Sequence, residues 1–258
     1  MNRTIAPDDH MLQGGEEAYF RTAEAGLRAV LAGIYGAGRD PAEIHHILDF
    51  GSGYGRVYRA LADGFPDAIL TACDLMEPAA KFCARTFGGN WAKGNEDLGL
   101  IQLPVRYDLI WLGSVFTHLP EGRWADLLSF LSERTKPRGV IVFTTHGARA
   151  MQVHEEFALK RNPNLIPRDT FEWIKAEVDR SGFAFTSTQP GTLQSINERG
   201  IDVSEGEYGF SFTSESWVRD AIAALPELRF VSYVQGGWGN NHDVVSVQRL
   251  PPGAVPAR

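Results

Sequence analysis

Two carboxylates and three glycines hold the residues best placed for chemistry. Asp49 lies two residues ahead of the first of the glycines Gly51, Gly53 and Gly55, in the run Ile47-Leu48-Asp49-Phe50-Gly51-Ser52-Gly53-Tyr54-Gly55-Arg56. Asp74 ends a second apolar run, Ala68 to Cys73, nineteen residues beyond Gly55. Glycine at alternate positions lets a chain turn tightly and lets a ligand touch its backbone. An acid at the head of such a turn can accept from an ammonium group. An acid at the end of the next strand can accept from both hydroxyls of a ribose. A dinucleotide fingerprint G-x-G-x-x-G would place its third glycine at position 56, where this chain has Arg56. A pyrophosphate at a helix N-terminus also disfavours an added negative charge such as that of Asp49.

These residues need a strand, a turn, a helix and a second strand to hold them. The apolar runs predict strands over 44–50 and 68–73, with a helix from Tyr54 to Ala62 between them. A second helix begins at Pro78, a favoured first helical residue, and stops at Gly88-Gly89. A weak strand falls near Asn90–Lys93 and a clear one at Tyr107–Leu112. A helix then opens at Pro120, a turn is expected at Pro137-Arg138-Gly139, and Val140–Thr144 is a strand covered on both faces. Glu16 to Tyr35 carries a helical apolar stripe ahead of all of these. Beyond residue 147 the alternation breaks. Helices are expected at Met151–Arg161, Asp169–Arg180 and Ser214–Leu225, around a Gly/Ser/Glu-rich stretch, Gly191–Gly209. Leu228–Gln235 and Val244–Leu250 read as two strands joined by the Gly/Asn-rich link 236–241.

With these elements, the chain resembles the class I S-adenosylmethionine-dependent methyltransferases. The resemblance rests on Leu48-Asp49-Phe50-Gly51-Ser52-Gly53-Tyr54-Gly55-Arg56, Cys73-Asp74-Leu75, Tyr107-Asp108-Leu109-Ile110-Trp111, and Leu128 through Phe143. It covers about residues 44–147. It implies an α/β, Rossmann-like seven-stranded sheet, helices on both faces, with the last strand antiparallel and inserted between the fifth and sixth. It implies S-adenosylmethionine as cofactor and S-adenosylhomocysteine as product. The cofactor contacts it implies fall on Asp49, Gly51, Ser52, Gly53, Gly55, Arg56, Asp74 and Leu75, with Trp111 and Ser114 after the fourth strand. Asn95-Glu96-Asp97 resembles the loop whose polar residue meets the adenine amino group. The whole chain, 1–258, then reads as one domain: an N-terminal helix (16–38), a cofactor-binding core (44–147), a cap inserted between strands five and six (148–227) and a C-terminal hairpin (228–250).

Ligands of open α/β sheets bind beyond the carboxyl ends of the parallel strands. That edge gathers His118, His146 and His242 from distant parts of the sequence. A histidine there can act as general base toward a methyl acceptor. His242 and His146 are the first choices, and His118 can instead steady the start of the next helix. Three histidines can also hold a metal, but no short-range ligand spacing supports one and none is expected. Trp111, Phe116 and Trp238 are candidates for the acceptor wall, and Tyr19 and Phe20 are expected to be packed rather than to form a lid.

Composition narrows the partners. A formal charge of −7 gives no general field for nucleic acid or anionic membrane, and no acidic-proline tetrad of nucleic-acid amino methylases is present. No run of about 18 apolar residues is found, and the polar segment Met1–His10 has no signal-peptide core, so a cytoplasmic location is the expectation. Cys73 and Cys83 read as buried reduced thiols. The expected activity is methyl transfer to a small molecule or saccharide, at oxygen; a homo-oligomer is compatible with the sequence. The alternatives are an NAD(P)-dependent oxidoreductase, disfavoured by the glycine spacing and the lack of a Tyr-x-x-x-Lys pair, and a non-catalytic nucleotide-binding protein of the same fold.

Overall fold

The computed structural model describes residues 1–158, 166–188, 190–198, 201 and 203–253. Helix α1 (Gly15–Gly36) precedes strand β1 (His46–Phe50), α2 (Tyr58–Gly64), β2 (Ile69–Asp74), α3 (Glu77–Phe87) and β3 (Asn90–Lys93). Then come β4 (Tyr107–Leu112), α4 (Glu121–Arg134), β5 (Thr135–Thr145) and α5 (Ala148–Val153). The next stretch contains α6 (Arg168–Ser181), β6 (Phe183–Ser187), α7 (Pro190–Glu198), β7 (Gly209–Thr213) and α8 (Glu215–Ala223). The chain closes with β8 (Leu228–Trp238) and β9 (His242–Arg249).

Seven strands form one sheet in the order β3-β2-β1-β4-β5-β9-β8. β1 pairs parallel with β2 and β4, and β4 parallel with β5. β9 runs antiparallel between β5 and β8. This is the Rossmann-like arrangement expected from the sequence, last strand included. The order reverses at β1, so the carboxyl ends of β1 and β4 diverge there and leave a crevice.

β4 is buried at every position and β5 from Gly139 onward, as strands covered on both faces must be. On one face Trp124, Leu127, Leu128 and Leu131 of α4 pack on Ile110, Leu112, Ile141 and Phe143. On the other, Val30 and Ile34 of α1 join Leu61, Leu109, Val140 and Val142. Tyr19 and Phe20 are buried and stack edge to face. Both cysteines are buried free thiols. Among the described residues no helix is long and apolar enough to cross a membrane.

Local differences from the sequence expectations have local causes. The helix expected at Tyr54 begins at Tyr58, because residues 51–57 are spent on turns closed by Gly55 N–H donating to Ser52 O at 3.0 Å. The turn expected at Pro137-Arg138-Gly139 lies inside β5, where Thr135 pairs with Tyr107 and a register shift absorbs Arg138 at φ 65°. The Gly191–Gly209 stretch contributes to α7 and starts β7, which pairs antiparallel with β6 in a second, two-stranded sheet. The link 236–241 is shorter than expected: Trp238 pairs with His242, leaving a three-residue turn with Gly239 and Asn240 at positive φ. The helix expected over Met151–Arg161 is α5 plus one π turn, His154–Ala158; its remainder lies outside the described residues.

Candidate active site

A cavity of about 290 Å³ opens over the glycine turn. Its wall includes Asp49, Gly51, Ser52, Gly53, Arg56, Asp74, Leu75, Asn95, Glu96, Trp111 and Ser114. One sequence candidate, Gly55, is absent from the wall. It has φ +80°, and a Cβ there would lie 2.8 Å from Phe87 and 2.9 Å from the Cys83 sulfur. Its task is close packing of the turn on α3. Gly53 is the opposite case: φ is +50° and nothing stands within 4 Å of where a Cβ would be. That empty space faces the cavity.

The two carboxylates differ in their surroundings. Asp74 Oδ2 accepts from Gly53 N–H at 2.6 Å, and Oδ1 accepts from Met76 N–H at 2.9 Å. It therefore holds the glycine turn in shape as well as facing the cavity. Asp49 is 2% exposed, and its Oδ2 has no hydrogen-bond partner. Burial pushes its pKa up to about 8, and the charge of Asp74 adds to the rise. Leaving a buried carboxyl oxygen without a partner costs free energy that pairing with a cation offsets. A ligand with an ammonium group on a chain that passes Gly53, and a ribose near Asp74, fits this wall.

Asn95 and Glu96 line the cavity, and their side chains also make hydrogen bonds within the chain. Asn95 Oδ1 accepts from Asp97 N–H at 2.9 Å, an Asx turn. The Glu96 carboxylate accepts from Ser204 N–H at 2.8 Å and from the Ser204 hydroxyl at 2.7 Å. Arg123 donates to the Glu96 carbonyl and pairs with Glu207 at 3.4 Å. Glu96 thus ties the core to the stretch between β5 and β8. That stretch supplies Ile201, Val203, Glu207 and Tyr208 to the wall, which sequence reasoning had not marked. Asp9 and Met11, ahead of α1, were missed as well. Asp9 accepts from the Tyr19 hydroxyl at 2.6 Å, and buried Arg59 donates to that hydroxyl at 3.0 Å. A short polar N-terminal segment carries no periodic signal that would have pointed to it.

The fold brings the three histidines together but gives them unequal positions. His118 lines the cavity; His146 and His242 are not in its wall. His118 and His146 have ring centroids 6.5 Å apart, and His146 and His242 are 4.7 Å apart. His146 is buried with Nδ1 3.2 Å from Ser211 O. His242 has Nδ1 3.3 Å from the Thr144 hydroxyl and its ring against Trp238. Burial lowers the pKa of all three, His146 far down and His242 to about 3. In each case burial favours the neutral imidazole. Of the three rings, His118 is the one on the cavity wall, and a base must reach the acceptor. Asp243, beside His242, accepts from the Tyr233 hydroxyl at 2.5 Å and from Gly236 N–H at 2.7 Å, which fixes the hairpin.

Among the aromatics, Trp111 and Trp238 line the cavity and meet edge to face at 5.5 Å, with Arg56 over the Trp238 ring at 5.3 Å. Phe116, the third candidate, is fully buried between Trp124 and Phe143 and belongs to the core. Among the described residues no group of three His, Cys, Asp or Glu side chains has the spacing to hold a metal ion.

Residues 48–141 match the family model of a methyltransferase domain. A comparison with curated protein sequences finds no match. Among solved structures, the fold is similar to that of DesVI from Streptomyces venezuelae, at 14% identity, a TM-score of 0.52, and 92% of this chain and 94% of that one covered. The N-methyltransferase NodS from Bradyrhizobium japonicum WM9, in complex with S-adenosyl-l-homocysteine, is similar at 13% identity and TM-score 0.49, over 95% of this chain and 93% of that one. Human N-acetylserotonin methyltransferase, in complex with SAM, is similar at 16% identity and TM-score 0.48 over 87% of this chain. This chain covers only 51% of the human protein's length. At these identities the likeness is one of fold.

Proposed function

We propose that the chain, whose residues 48–141 match a methyltransferase-domain model, is a class I S-adenosylmethionine-dependent methyltransferase that methylates a hydroxyl of a small molecule or saccharide, with His118 as general base. The observation behind this reading is the His118 imidazole on the cavity wall, beside the residues that suit the donor, where burial lowers its pKa and so favours the neutral ring. S-adenosylmethionine supplies a methyl group already activated on a sulfonium; the new O–CH3 bond forms as the C–S bond breaks, its electron pair staying on sulfur. Asp49 is the carboxylate for the donor's ammonium, and Asp74 for its ribose. Leu75 and Met76 follow Asp74 on the cavity wall and offer apolar contact to the donor's adenine. Trp111, Trp238 and Tyr54 give the acceptor flat apolar walls. His118 takes the acceptor's hydroxyl proton. A hydroxyl needs that help because its oxygen gains nucleophilicity as the proton leaves. Orientation of the acceptor against the methyl carbon supplies much of the rest.

The test measures transfer of labelled methyl to a panel of phenols, sugars and amines, together with titration of S-adenosylhomocysteine and NAD. Expected are binding of the former only, labelled hydroxyl products, and a His118→Gln variant slowed by roughly 10²–10⁴-fold with unchanged S-adenosylhomocysteine affinity. Labelled amines alone would overturn the oxygen assignment. Binding without any transfer would leave a nucleotide-binding protein.

A further inference from the structure

The stretch between β5 and β8 does more than cover the cavity. We infer that Tyr208 and Gly209, at the start of β7, are positioning residues for His118: the Gly209 carbonyl fixes the ring's proton on Nδ1, and the Tyr208 ring fixes its plane. The base is thus tuned by a strand outside the cofactor core. The inference rests on the reading of His118 as base and extends it to the group that selects the working nitrogen.

The geometry is specific. His118 Nδ1 is 2.8 Å from the Gly209 carbonyl oxygen. A carbonyl can only accept, so Nδ1 carries the hydrogen. A neutral imidazole has one such hydrogen, so Nε2 carries the lone pair, and it lies 3.5 Å from the Ser114 hydroxyl of the cavity wall. The Tyr208 ring stacks on His118 at 4.7 Å with planes 10° apart. Two residues further along β7, the Ser211 carbonyl faces His146 Nδ1 at 3.2 Å. Carbonyls at i and i+2 of a strand point the same way, so one strand edge fixes the tautomer of both histidines.

β7 is anchored to do this. The Ser211 hydroxyl donates to Phe116 O at 2.7 Å, tying the strand to the loop that bears His118. Thr213 N–H donates to His146 O at 2.8 Å. Gly209 also has no room for a side chain, since a Cβ would stand 2.1 Å from Thr186 O on β6. Any larger residue shifts the carbonyl that His118 needs.

Nitrogen-15 NMR of histidine-labelled protein tests this without turnover, with the His118 signal assigned by its loss in His118→Gln. The wild type is expected to show a single Nδ1–H tautomer for His118. Tyr208→Leu is expected to mix the tautomers and lower kcat about tenfold, a part of what a positioned base supplies, while Tyr208→Phe restores both. An Nε2–H tautomer in the wild type would overturn the inference, and so would a wild-type tautomer and kcat in Tyr208→Leu. If instead His118→Gln keeps full turnover, the base reading fails while the tautomer result still decides the positioning role.

Discussion

Replacing Asp49 by Asn should make the ligand-free protein more stable, most of all at high pH. The carboxyl titrates near pH 8 when folded, against 3.8 for the free group. The sign follows from proton uptake. Between those values the folded state keeps a proton that the unfolded state releases, so stability falls as pH rises from about 4 to about 8. The difference of about 4 units, at 1.36 kcal/mol each, bounds the loss at about 6 kcal/mol above pH 8. Water admitted through the cavity beside Asp49 reduces that to a few kcal/mol. Asn has nearly the shape of the neutral carboxyl and cannot ionise, so it removes the slope. The assay is urea unfolding from pH 5 to 9 of wild type and Asp49→Asn, each with and without S-adenosylmethionine. The wild-type curve should slope down across the range and the variant's should be flatter. The donor's ammonium should flatten the wild-type slope by pairing with the carboxylate, and Asn should bind the donor more weakly. Parallel slopes for the two proteins would refute the assignment of a buried, unpartnered carboxyl.

Three further predictions concern the turn. Gly53→Val should lose S-adenosylhomocysteine binding by calorimetry, because its side chain enters open cavity, and should also lower stability, because a β-branched residue is strained at φ +50°; Gly55→Ala should lower stability by about 1–3 kcal/mol in a thermal melt, through overpacking on Phe87 and Cys83 added to the strain of a side chain at φ +80°. Asp74→Ala should lower stability and ligand affinity together, since two backbone amides lose a charged acceptor worth about 1.5–3 kcal/mol each; a variant with a wild-type melting temperature would show that those bonds do not hold the turn.

The sequence by itself determined the parts of this protein that depend on short separations. The spacing of Asp49, Gly51 and Gly53 and the acid at the end of the next apolar run dictate a strand–turn–helix–strand unit with two carboxylates on one edge. Largely apolar runs made β4 and much of β5 legible, because a strand buried on both faces carries few polar positions. Even so, Gly55 reads from sequence like its two neighbours, and only the packing of α3 separates a glycine that faces the cavity from one that meets Phe87. Glu96 reads as a ligand contact, and only the fold shows its carboxylate held by Ser204, more than a hundred residues away.

Tertiary structure also decided which histidine lines the cavity. Strand topology places His118, His146 and His242 at one rim, but which ring reaches the cavity depends on how β7 lies across the loop after β4. β7 begins in a Gly/Ser/Glu-rich stretch with little periodicity, so no local pattern announces it. The physical reason is range. Turn and strand preferences act over a few residues and are written in spacing, whereas the wall supplied by Asp9, Val203 and Tyr208 exists only where distant segments bury surface against one another.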